Sequence, residues 1–315
     1  MLETLSKVKP EADFKATDSD NSNVVGYYRE TIEDYQRWSP EGYMHFGYWR
    51  PGINPLNRRA MIEAMNDLVF EHLKLGDPAA NSSDSHRKVV ADLGCGLAAV
   101  SNDGSKKFPS HKFLAYTLSP EQVEFGRSRL ENDRVEMLQA NFLDLPLDDA
   151  SVDAAFFLES LCHSEEPERA LAEAMRILKP GGRLVVVDGF LNRSRKRTSK
   201  WVRALARIVS ENWAVPDFHA YPDFRKQVDR VGFEVVESRE IGWNITPCVA
   251  HAPWLVALHS IALAIKGQLT RWKRKHLIAC GLGVVLGMHR WSFGYHLVSM
   301  HKKNESPHAN QSSPD

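Results

Sequence analysis

From Lys88 onward the chain alternates short apolar runs with segments of helical periodicity, and this alternation restricts the fold more than any other feature. Apolar runs of four to eight residues between helices are typical of parallel strands that are buried on both faces. Seven segments are predicted as strands: Val89–Leu93, Lys112–Thr117, Arg134–Leu138, Val152–Phe157, Arg183–Asp188, Phe233–Glu240 and Phe293–Met300. The pattern therefore predicts an α/β fold with a mostly parallel seven-stranded sheet and helices on both of its faces.

Helical segments precede the predicted sheet. The aromatic and apolar spacing of Val24–Trp38 predicts a helix, followed by a break at Ser39-Pro40-Glu41-Gly42. A second helix is predicted to be capped by Asn54, with Pro55 at its first position, and to reach Leu73. We interpret 21–76 as a helical cap, 77–87 as a linker, and 1–20 and 303–315 as flexible tails.

Further helices interrupt the predicted sheet. One runs from Glu166 to Leu178 and ends at Lys179-Pro180-Gly181-Gly182. Trp201–Gly232 is predicted as two helices broken around Pro216 and Pro222, and Val249–Lys275 as another helix. We expect lid helices inserted at about 195–232 and 249–290 into a domain that spans 88–302.

Composition excludes several classes of function. Lys plus Arg and Asp plus Glu both number 40, so no overall field favours nucleic acid as a partner. The four cysteines are scattered without metal-ligand spacing, which predicts no metal site and no disulfide framework and favours a cytoplasmic location. The apolar run Leu277–Met288 is too short to cross a bilayer. We therefore expect no transmembrane segment, while peripheral membrane contact and a homo-oligomer stay open.

The first site signal is the strand and turn Val90-Ala91-Asp92-Leu93-Gly94-Cys95-Gly96. Glycines after a strand let the backbone approach a nucleoside ligand at the carboxyl edge of a parallel sheet. A glycine turn between a strand and a helix also occurs for purely structural reasons, so both interpretations stay open here.

The second signal is Tyr116-Thr117-Leu118-Ser119-Pro120-Glu121-Gln122, which ends a strand and begins a helix. Ser119 is predicted as the helix cap, with Pro120 at the first position and Gln122 completing a capping box. Gln122 also carries a donor and an acceptor suited to ribose hydroxyls. The sequence leaves the capping role and the binding role of Gln122 open.

Two more segments follow predicted strands at the same sheet edge, Ala140–Pro146 and Phe157–His163. With the glycine turn and the Lys179–Arg183 turn, their order and spacing resemble the class I S-adenosylmethionine-dependent methyltransferases, which have a Rossmann-like fold. Thr117–Gln122 and the aromatic segment Met44–Trp49 are similar to the branch of sterol, tocopherol, cyclopropane-fatty-acid and isoprenoid C-methyltransferases. Ala98 departs from the family pattern, which usually has a third glycine there.

The resemblance implies S-adenosylmethionine as the cofactor. Gly94, Cys95 and Gly96 would face its methionine portion, Thr117, Leu118 and Gln122 its ribose, and Asn141 and Phe142 its adenine. Asp92 and Leu158 complete the predicted set of cofactor-binding residues.

The methyl acceptor must lie beside the cofactor, where the fourth strand ends. Glu159 and His163 follow that strand and are predicted as acid-base residues, together with Tyr28 from the cap. The cap is rich in aromatic side chains, of which Tyr27, Tyr48 and Trp49 are predicted to bind substrate. For any single ring, packing a helix on the sheet is the commoner role, since aromatic residues dominate core energetics.

Two basic clusters, Arg193–Arg197 and Arg271–Lys275, flank the predicted lid helices. They are expected either as solvated faces or as contacts for a diphosphate or anionic lipid headgroups. The leading hypothesis is methyl transfer to a small, largely apolar acceptor, with a carbon of an isoprenoid or related lipid favoured. Methylation of oxygen or nitrogen in a phenolic or amine metabolite, and a non-catalytic cofactor-binding protein, are the alternatives.

Overall fold

The computed structural model describes residues 24–29, 39–76, 87–267 and 269–304. Its centre is a seven-stranded sheet in the order β3-β2-β1-β4-β5-β7-β6, in which only β7 runs antiparallel to its neighbours. The strands are β1 Val89–Leu93, β2 Lys112–Thr117, β3 Val135–Gln139, β4 Val152–Leu158, β5 Leu178–Leu191, β6 Glu234–Glu240 and β7 Phe293–His301. The predicted fold class and all seven strands are confirmed.

Strand β5 differs most from its predicted bounds, because it begins at Leu178 rather than Arg183. Val152 of β4 pairs with Leu178, and after a shift in register Ala154 pairs with Arg183. The Lys179–Gly182 turn is therefore an irregularity at the start of this long strand, and the helix before it ends at Ile177.

The order of strands determines where a ligand can bind. The chain moves outward from β1 through β2 to β3, then returns to pair β4 with the other side of β1. Helices leave in opposite directions at this reversal, which opens a crevice at the carboxyl ends of β1 and β4. The segments singled out in the sequence all follow strands that end at this edge.

The helices are α1 24–29, α2 Arg58–Leu73, α3 Ala99–Lys107, α4 Pro120–Arg127, α5 Pro167–Ile177, α6 Lys200–Asn212, α7 Tyr221–Val231, α8 Gly242–Val249, α9 Ala252–Ile265 and α10 Arg271–Met288. Apolar side chains of α2, α3 and α4 form one core cluster with the sheet, and those of α5 and α7 form a cluster on the opposite face. Burial on both faces explains why the strands consist of continuous apolar runs.

Two helix predictions were wrong in detail. Asn57, not Asn54, caps α2, because its side chain accepts a hydrogen bond from the backbone N–H of Ala60, whereas Asn54 accepts from Leu56 within the preceding turn. The predicted helix Val249–Lys275 is two helices, since α9 ends at Ile265 and α10 begins after the Thr270 cap.

The lid is formed by fewer of the predicted segments than expected. Phe224 and Val228 of α7 lie in the sheet core, so α7 is an ordinary covering helix. In contrast, α6 packs against α10, and their buried side chains form a third cluster that includes Val209 and Leu286. The elements outside the sheet layers are thus α6 together with α8, α9 and α10.

One segment among the described residues is long and apolar enough to cross a membrane by length and composition. It is Gly242–Ile265, which spans α8 and α9, and only 17% of its apolar window is buried. This segment is distinct from the shorter apolar run Leu277–Met288, which lies in α10. The tail 1–20, the tail beyond residue 304, most of the linker and the predicted helix between residues 30 and 38 lie outside the described residues.

Candidate active site

The turn after β1 holds its glycines in conformations that other residues rarely adopt. Gly94 has φ +89° and Gly96 has φ +55°, in the left-handed region. A Cβ on Gly94 would lie 2.4 Å from the Cβ of Ser160, and one on Gly96 would lie 2.6 Å from Sδ of Met44. The turn therefore forms a narrow backbone cradle, which we call the glycine cleft.

Asp92 lies at the base of the glycine cleft. Its carboxylate accepts a 2.7 Å hydrogen bond from the hydroxyl of Ser101, and burial raises its pKa to about 7. A buried carboxyl group beside a backbone cradle is suited to a ligand that carries hydrogen-bond donors or positive charge.

Gln122 directs its side chain into the cleft rather than back to the helix cap. The Ser119 hydroxyl caps α4 by accepting from the backbone N–H of Gln122, while the Gln122 side-chain oxygen accepts a 2.5 Å hydrogen bond from the hydroxyl of Thr117. Ser119 and Pro120 are therefore confirmed as the cap and first helical residue, but only half of the predicted capping box forms. The Gln122 side chain stays at the cleft, and the backbone N–H of Ser119 donates to the Thr117 hydroxyl instead.

The ends of β3 and β4 complete the wall of the cleft. Phe142 packs edge-on against Phe157 and lines the cleft, as does Leu158. Asn141 does not line it, since its side-chain oxygen instead accepts from the backbone N–H of Leu143 in a local turn. Of the predicted cofactor residues, those that line the cleft are Asp92, Gly94, Cys95, Gly96, Thr117, Leu118, Gln122, Phe142 and Leu158.

These residues fit S-adenosylmethionine. The glycines of the cleft carry no side chains, so the methionine portion of the cofactor can lie against the backbone. Thr117 and Gln122 offer polar groups for the ribose. Phe142 offers an apolar face for the adenine. Ala98 stands where the family usually has glycine. Its backbone has φ +57°, the left-handed conformation that glycine favours, so the turn keeps the same shape.

A second cavity of about 450 Å³ lies beside the glycine cleft, and we call it the apolar cavity. Its walls come mainly from apolar side chains of α8, α9 and α10 and from the loop after α6, including Val215, Phe218 and Val256. No Lys or Arg is among the described residues that line it. Pockets of about 300 to 1,000 Å³ with few polar groups are typical of sites for small apolar ligands.

Five residues line both spaces, and we call this boundary the junction. They are Tyr28, Met44, His45, Glu159 and His163. All three predicted catalytic residues lie there. A ligand in the cleft and a ligand in the apolar cavity would therefore meet at these side chains.

Glu159 is the central group of the junction. Its Oε1 accepts a 2.6 Å hydrogen bond from the backbone N–H of Phe46 and another from the hydroxyl of Tyr295, and burial raises its pKa to about 8. Its backbone has φ +53°, a strained conformation for a residue with a side chain. The Glu159 carboxyl group is therefore held in place inside the protein and is not solvated, because its backbone is strained, its side chain is buried and two groups donate hydrogen bonds to it.

Two further groups of this site were missed by the sequence analysis. Asp188, three residues before the end of β5, lines the apolar cavity. It accepts from the backbone N–H of Cys162 and Gly189, and burial raises its pKa to about 6. An acid at the carboxyl end of a predicted strand was a usable signal. Tyr295 had none, because it lies on β7, 136 residues from Glu159.

Tyr28 and His163 form a pair across the junction. The Tyr28 hydroxyl lies 2.9 Å from Nε2 of His163, whose Nδ1 lies 3.3 Å from the carbonyl of Ala214. Burial lowers the pKa of His163 to about 4, so the ring is neutral at physiological pH. Nδ1 then donates to Ala214, and Nε2 is left as the acceptor that faces Tyr28.

The three aromatic residues predicted to bind substrate do not line either space. Tyr27 is buried against Trp272 and His276 and fixes α1 to α10. Tyr48 lies in the sheet core, and the Trp49 ring donates to the carbonyl of Ile53. These rings are used for packing or local hydrogen bonds within the cap and not for substrate binding, because burying a large aromatic ring contributes strongly to stability.

Comparisons with known proteins agree with this geometry. Residues 91–186 match the family model described as "Methyltransferase domain". An O-methyltransferase of Aspergillus nomiae is 29% identical over 204 residues, which cover 64% of this chain and 84% of that protein. A 24-methylenesterol C-methyltransferase of Arabidopsis thaliana is 28% identical over 273 residues, which cover 84% of this chain and 67% of that protein.

The fold is also found in solved structures. A cyclopropane synthase from Mycobacterium tuberculosis superimposes with a TM-score of 0.73 at 15% identity, covering 91% of this chain and 100% of that one. Geranyl diphosphate C-methyltransferase from Streptomyces coelicolor gives a TM-score of 0.66 at 18% identity, covering 91% and 99%. With the glycine cleft, the strand order, the matched domain and the methyltransferase relatives in agreement, the chain is an S-adenosylmethionine-dependent methyltransferase with a seven-stranded α/β fold.

Proposed function

We propose that this enzyme methylates a carbon atom of an apolar, lipid-like acceptor such as an isoprenoid. The observation that carries the proposal is the apolar cavity, which meets the glycine cleft at Glu159. When bound, S-adenosylmethionine supplies an already activated methyl group. The task of the protein is then to hold a nucleophile in line with it and to exclude water.

An alkene carbon that accepts a methyl group becomes positively charged, and the cavity contains groups that suit such a charge. Glu159 and Asp188 provide two carboxyl groups, and Phe46 and Tyr295 present aromatic rings beside them. Aromatic faces and carboxylates both attract cations in a dry site. The raised pKa of about 8 keeps the ligand-free carboxyl group of Glu159 largely protonated at neutral pH, but a positive charge beside it lowers that pKa. Once ionised, Glu159 is placed to accept the proton whose loss restores a double bond.

The acceptor is expected to lack a diphosphate. A diphosphate held in the apolar cavity would need arginine, lysine or a bound cation, and the described residues that line it include no Lys or Arg. The two basic clusters do not line it either. This distinguishes the expected acceptor from the geranyl diphosphate named for the Streptomyces enzyme.

Oxygen methylation is the second candidate, and the Tyr28–His163 pair favours it. The neutral His163 presents Nε2 as a proton acceptor at the junction, where a hydroxyl acceptor could take the position of the Tyr28 hydroxyl. The Aspergillus relative is named an O-methyltransferase.

The test is incubation with isotopically labelled S-adenosylmethionine and separate apolar and polar metabolite fractions, followed by mass spectrometry and NMR of the labelled product. We expect label in the apolar fraction, in a methyl group bonded to carbon. Label in a methoxy group would instead establish the second candidate, and label confined to polar metabolites would contradict both the lipid acceptor and the role of the cavity.

A further inference from the structure

Large apolar side chains that are exposed to solvent concentrate on one part of the molecule. Among the described residues fourteen such side chains are exposed, and only Leu56 and Val236 lie elsewhere. The other twelve lie on α6, α8, α9, α10 and the turn before β7: Trp201, Ile208, Trp243, Trp254, Leu255, Leu258, Ile261, Ile265, Ile278, Val285, Met288 and Trp291. We call these side chains the lid surface.

The contacts between these elements make the lid surface one region. Helix α10 packs against both α6 and α9. The ring of Trp201 lies 4.7 Å from His289, and the guanidinium of the adjacent Arg290 lies over the ring of Trp243 at 4.6 Å. A soluble protein rarely leaves so large a contiguous apolar area uncovered unless it binds something.

Charge around the lid surface is mainly positive, and Glu211, which pairs with Arg207, is the one acid on helices α6, α8, α9 and α10. Residues 193–210 and 241–292 together contain thirteen Lys and Arg and no Asp or Glu, although the whole chain is neutral. The compensating negative charge therefore lies in the rest of the molecule. Lys200, Arg203, Lys266, Arg271 and Arg274 are exposed on or beside the same helices.

We propose that the lid surface docks on the surface of an anionic phospholipid bilayer. Exposed tryptophans rimmed by lysine and arginine match the layered chemistry of a membrane interface, where indole rings lie at headgroup depth and cations meet lipid phosphates. A protein partner would have to supply both an extended apolar face and a surplus of negative charge. A second copy of this chain would bring two positive surfaces together.

The apolar segment Gly242–Ile265 lies along the bilayer surface in this arrangement and does not cross it. Helix α8 is fixed to the folded domain, since the Asn244 side chain donates to the carbonyl of Trp49 and the backbone N–H of Gly47 donates to Sγ of Cys248. Helix α9 forms a wall of the apolar cavity. Crossing the bilayer would require both helices to leave the domain.

Docking would also place the apolar cavity at the membrane. Leu258 is 66% exposed and lines the cavity, and Leu255 is 38% exposed and lines it too, so the cavity reaches the surface at α9. This route for the acceptor rests on the proposed function, whereas docking itself does not. Vesicle binding without any acceptor therefore tests docking alone.

The experiment is co-sedimentation of the full chain with vesicles of phosphatidylcholine alone and of phosphatidylcholine with phosphatidylglycerol. We expect binding to the anionic vesicles, at least about tenfold weaker binding to the neutral ones, and weakening of the former by salt. Equal binding to both vesicle types would overturn the role of the basic residues, and binding to neither would overturn the proposal.

Matched variants test whether vesicle binding depends on the lid surface or on any exposed apolar side chain. Replacing Trp254 and Ile265, which do not line the cavity, with serine should weaken vesicle binding by about tenfold or more, because both side chains are mostly exposed and would enter the interface. Leu56→Ser is the control, since Leu56 is similarly exposed away from the lid surface and its loss should change nothing. Equal losses in both variants would contradict the proposal.

Two further measurements test the alternatives to membrane docking, which are a second copy of the chain on the lid surface and a helix that spans the bilayer. Sedimentation equilibrium without lipid should give a monomer, and a dimer that Trp254→Ser dissociates would show that a second copy covers this surface. Alkaline carbonate should release the protein from vesicles, and retention in the pellet would show a spanning segment instead.

Discussion

At the scale of single residues, Gly96 tests whether the glycine cleft binds the cofactor. We expect Gly96→Val to abolish binding, because a branched side chain would fill the cradle at φ +55° and meet Met44. Isothermal titration with S-adenosylmethionine and its demethylated product measures this. Gly52→Val is the control, since Gly52 has φ +95° with open space around it and combines the same backbone strain with no obstruction of the cleft. Normal affinity of a folded Gly96 variant would show that the turn is structural only.

The structure also sharpens the expectation for Gln122. The Ser119 hydroxyl caps α4 by accepting from the backbone N–H of Gln122, which alanine retains, whereas the Gln122 amide oxygen accepts from Thr117 at the cleft. Gln122→Ala should therefore weaken cofactor affinity by about 0.5 to 3 kcal/mol while α4 stays capped. Titration calorimetry and thermal unfolding are measured side by side. A lower unfolding temperature with unchanged affinity would return Gln122 to a structural role.

Glu159→Gln should lower turnover by about 10² to 10⁴ and spare cofactor affinity, because an amide preserves shape but neither holds negative charge nor takes a proton. Turnover is measured across pH with the identified acceptor, and Glu136→Gln, a carboxyl group paired with Lys112 on the sheet, is the control. A loss that persists at alkaline pH supports carbon methylation, whereas recovery there indicates oxygen or nitrogen methylation. Full activity at every pH would remove Glu159 from the mechanism.

At the scale of elements, Asn54 and Asn57 can be compared as caps of α2: Asn54 is the cap predicted from the sequence, and Asn57 is the cap in the structure. Asn57→Ala should lower the free energy of unfolding by about 1 kcal/mol, since it removes the bond to Ala60. Asn54→Ala should cost less, because Asn54 bonds only within an exposed turn. Chemical denaturation of both variants gives the comparison, and the reverse order would contradict the assigned cap.

The lid helices show how local patterns mislead at this scale. Residues 249–275 are apolar enough to predict one helix, yet the Thr270 side chain accepts from the backbone N–H of Lys273 and begins a new one. The absence of Asp and Glu over 241–304 is visible in the sequence, although the charge of the whole chain is balanced. It supports the proposed membrane-facing surface more directly than hydropathy does.

At the scale of the whole molecule, buried carboxyl groups give stability a predictable pH dependence. Burial raises the pKa of Asp92 to about 7, of Glu159 to about 8 and of Asp188 to about 6. Between their unfolded and folded pKa values the folded state holds protons that the unfolded chain has released, so stability falls as pH rises. The lowered pKa values of His45 and His163 act oppositely, but only below the ordinary value of 6.5.

Above pH 6.5 the carboxyl groups therefore act without opposition from these histidines. We expect the unfolding temperature of the ligand-free enzyme to fall between pH 6.5 and 8.5, and Glu159→Gln to reduce this fall. Calorimetry at the two pH values measures it. An unfolding temperature that rises over this interval would show that these groups are ionised or solvated in the folded protein.

The sequence by itself determined the sheet, the glycine turn and the position of Glu159. A strand buried on both faces must be apolar along its length, and a turn at positive φ favours glycine. Both features can therefore be predicted from the residue types of a short segment. Parallel strands end at one edge, which is why residues after β1, β2 and β4 could be assigned to one site before the fold was known.

Only the tertiary structure decided which side chains meet at that site. Tyr295 donates to Glu159 from 136 positions away, and Tyr28 reaches His163 across 135. Tyr27, Tyr48 and Trp49 are predicted from the sequence to bind substrate, but in the structure they pack within the cap and the core or bond to the local backbone. Local patterns specify the conformation of a segment. The partner of a side chain depends on how distant segments pack, because burial and hydrogen bonding are satisfied collectively across the whole core.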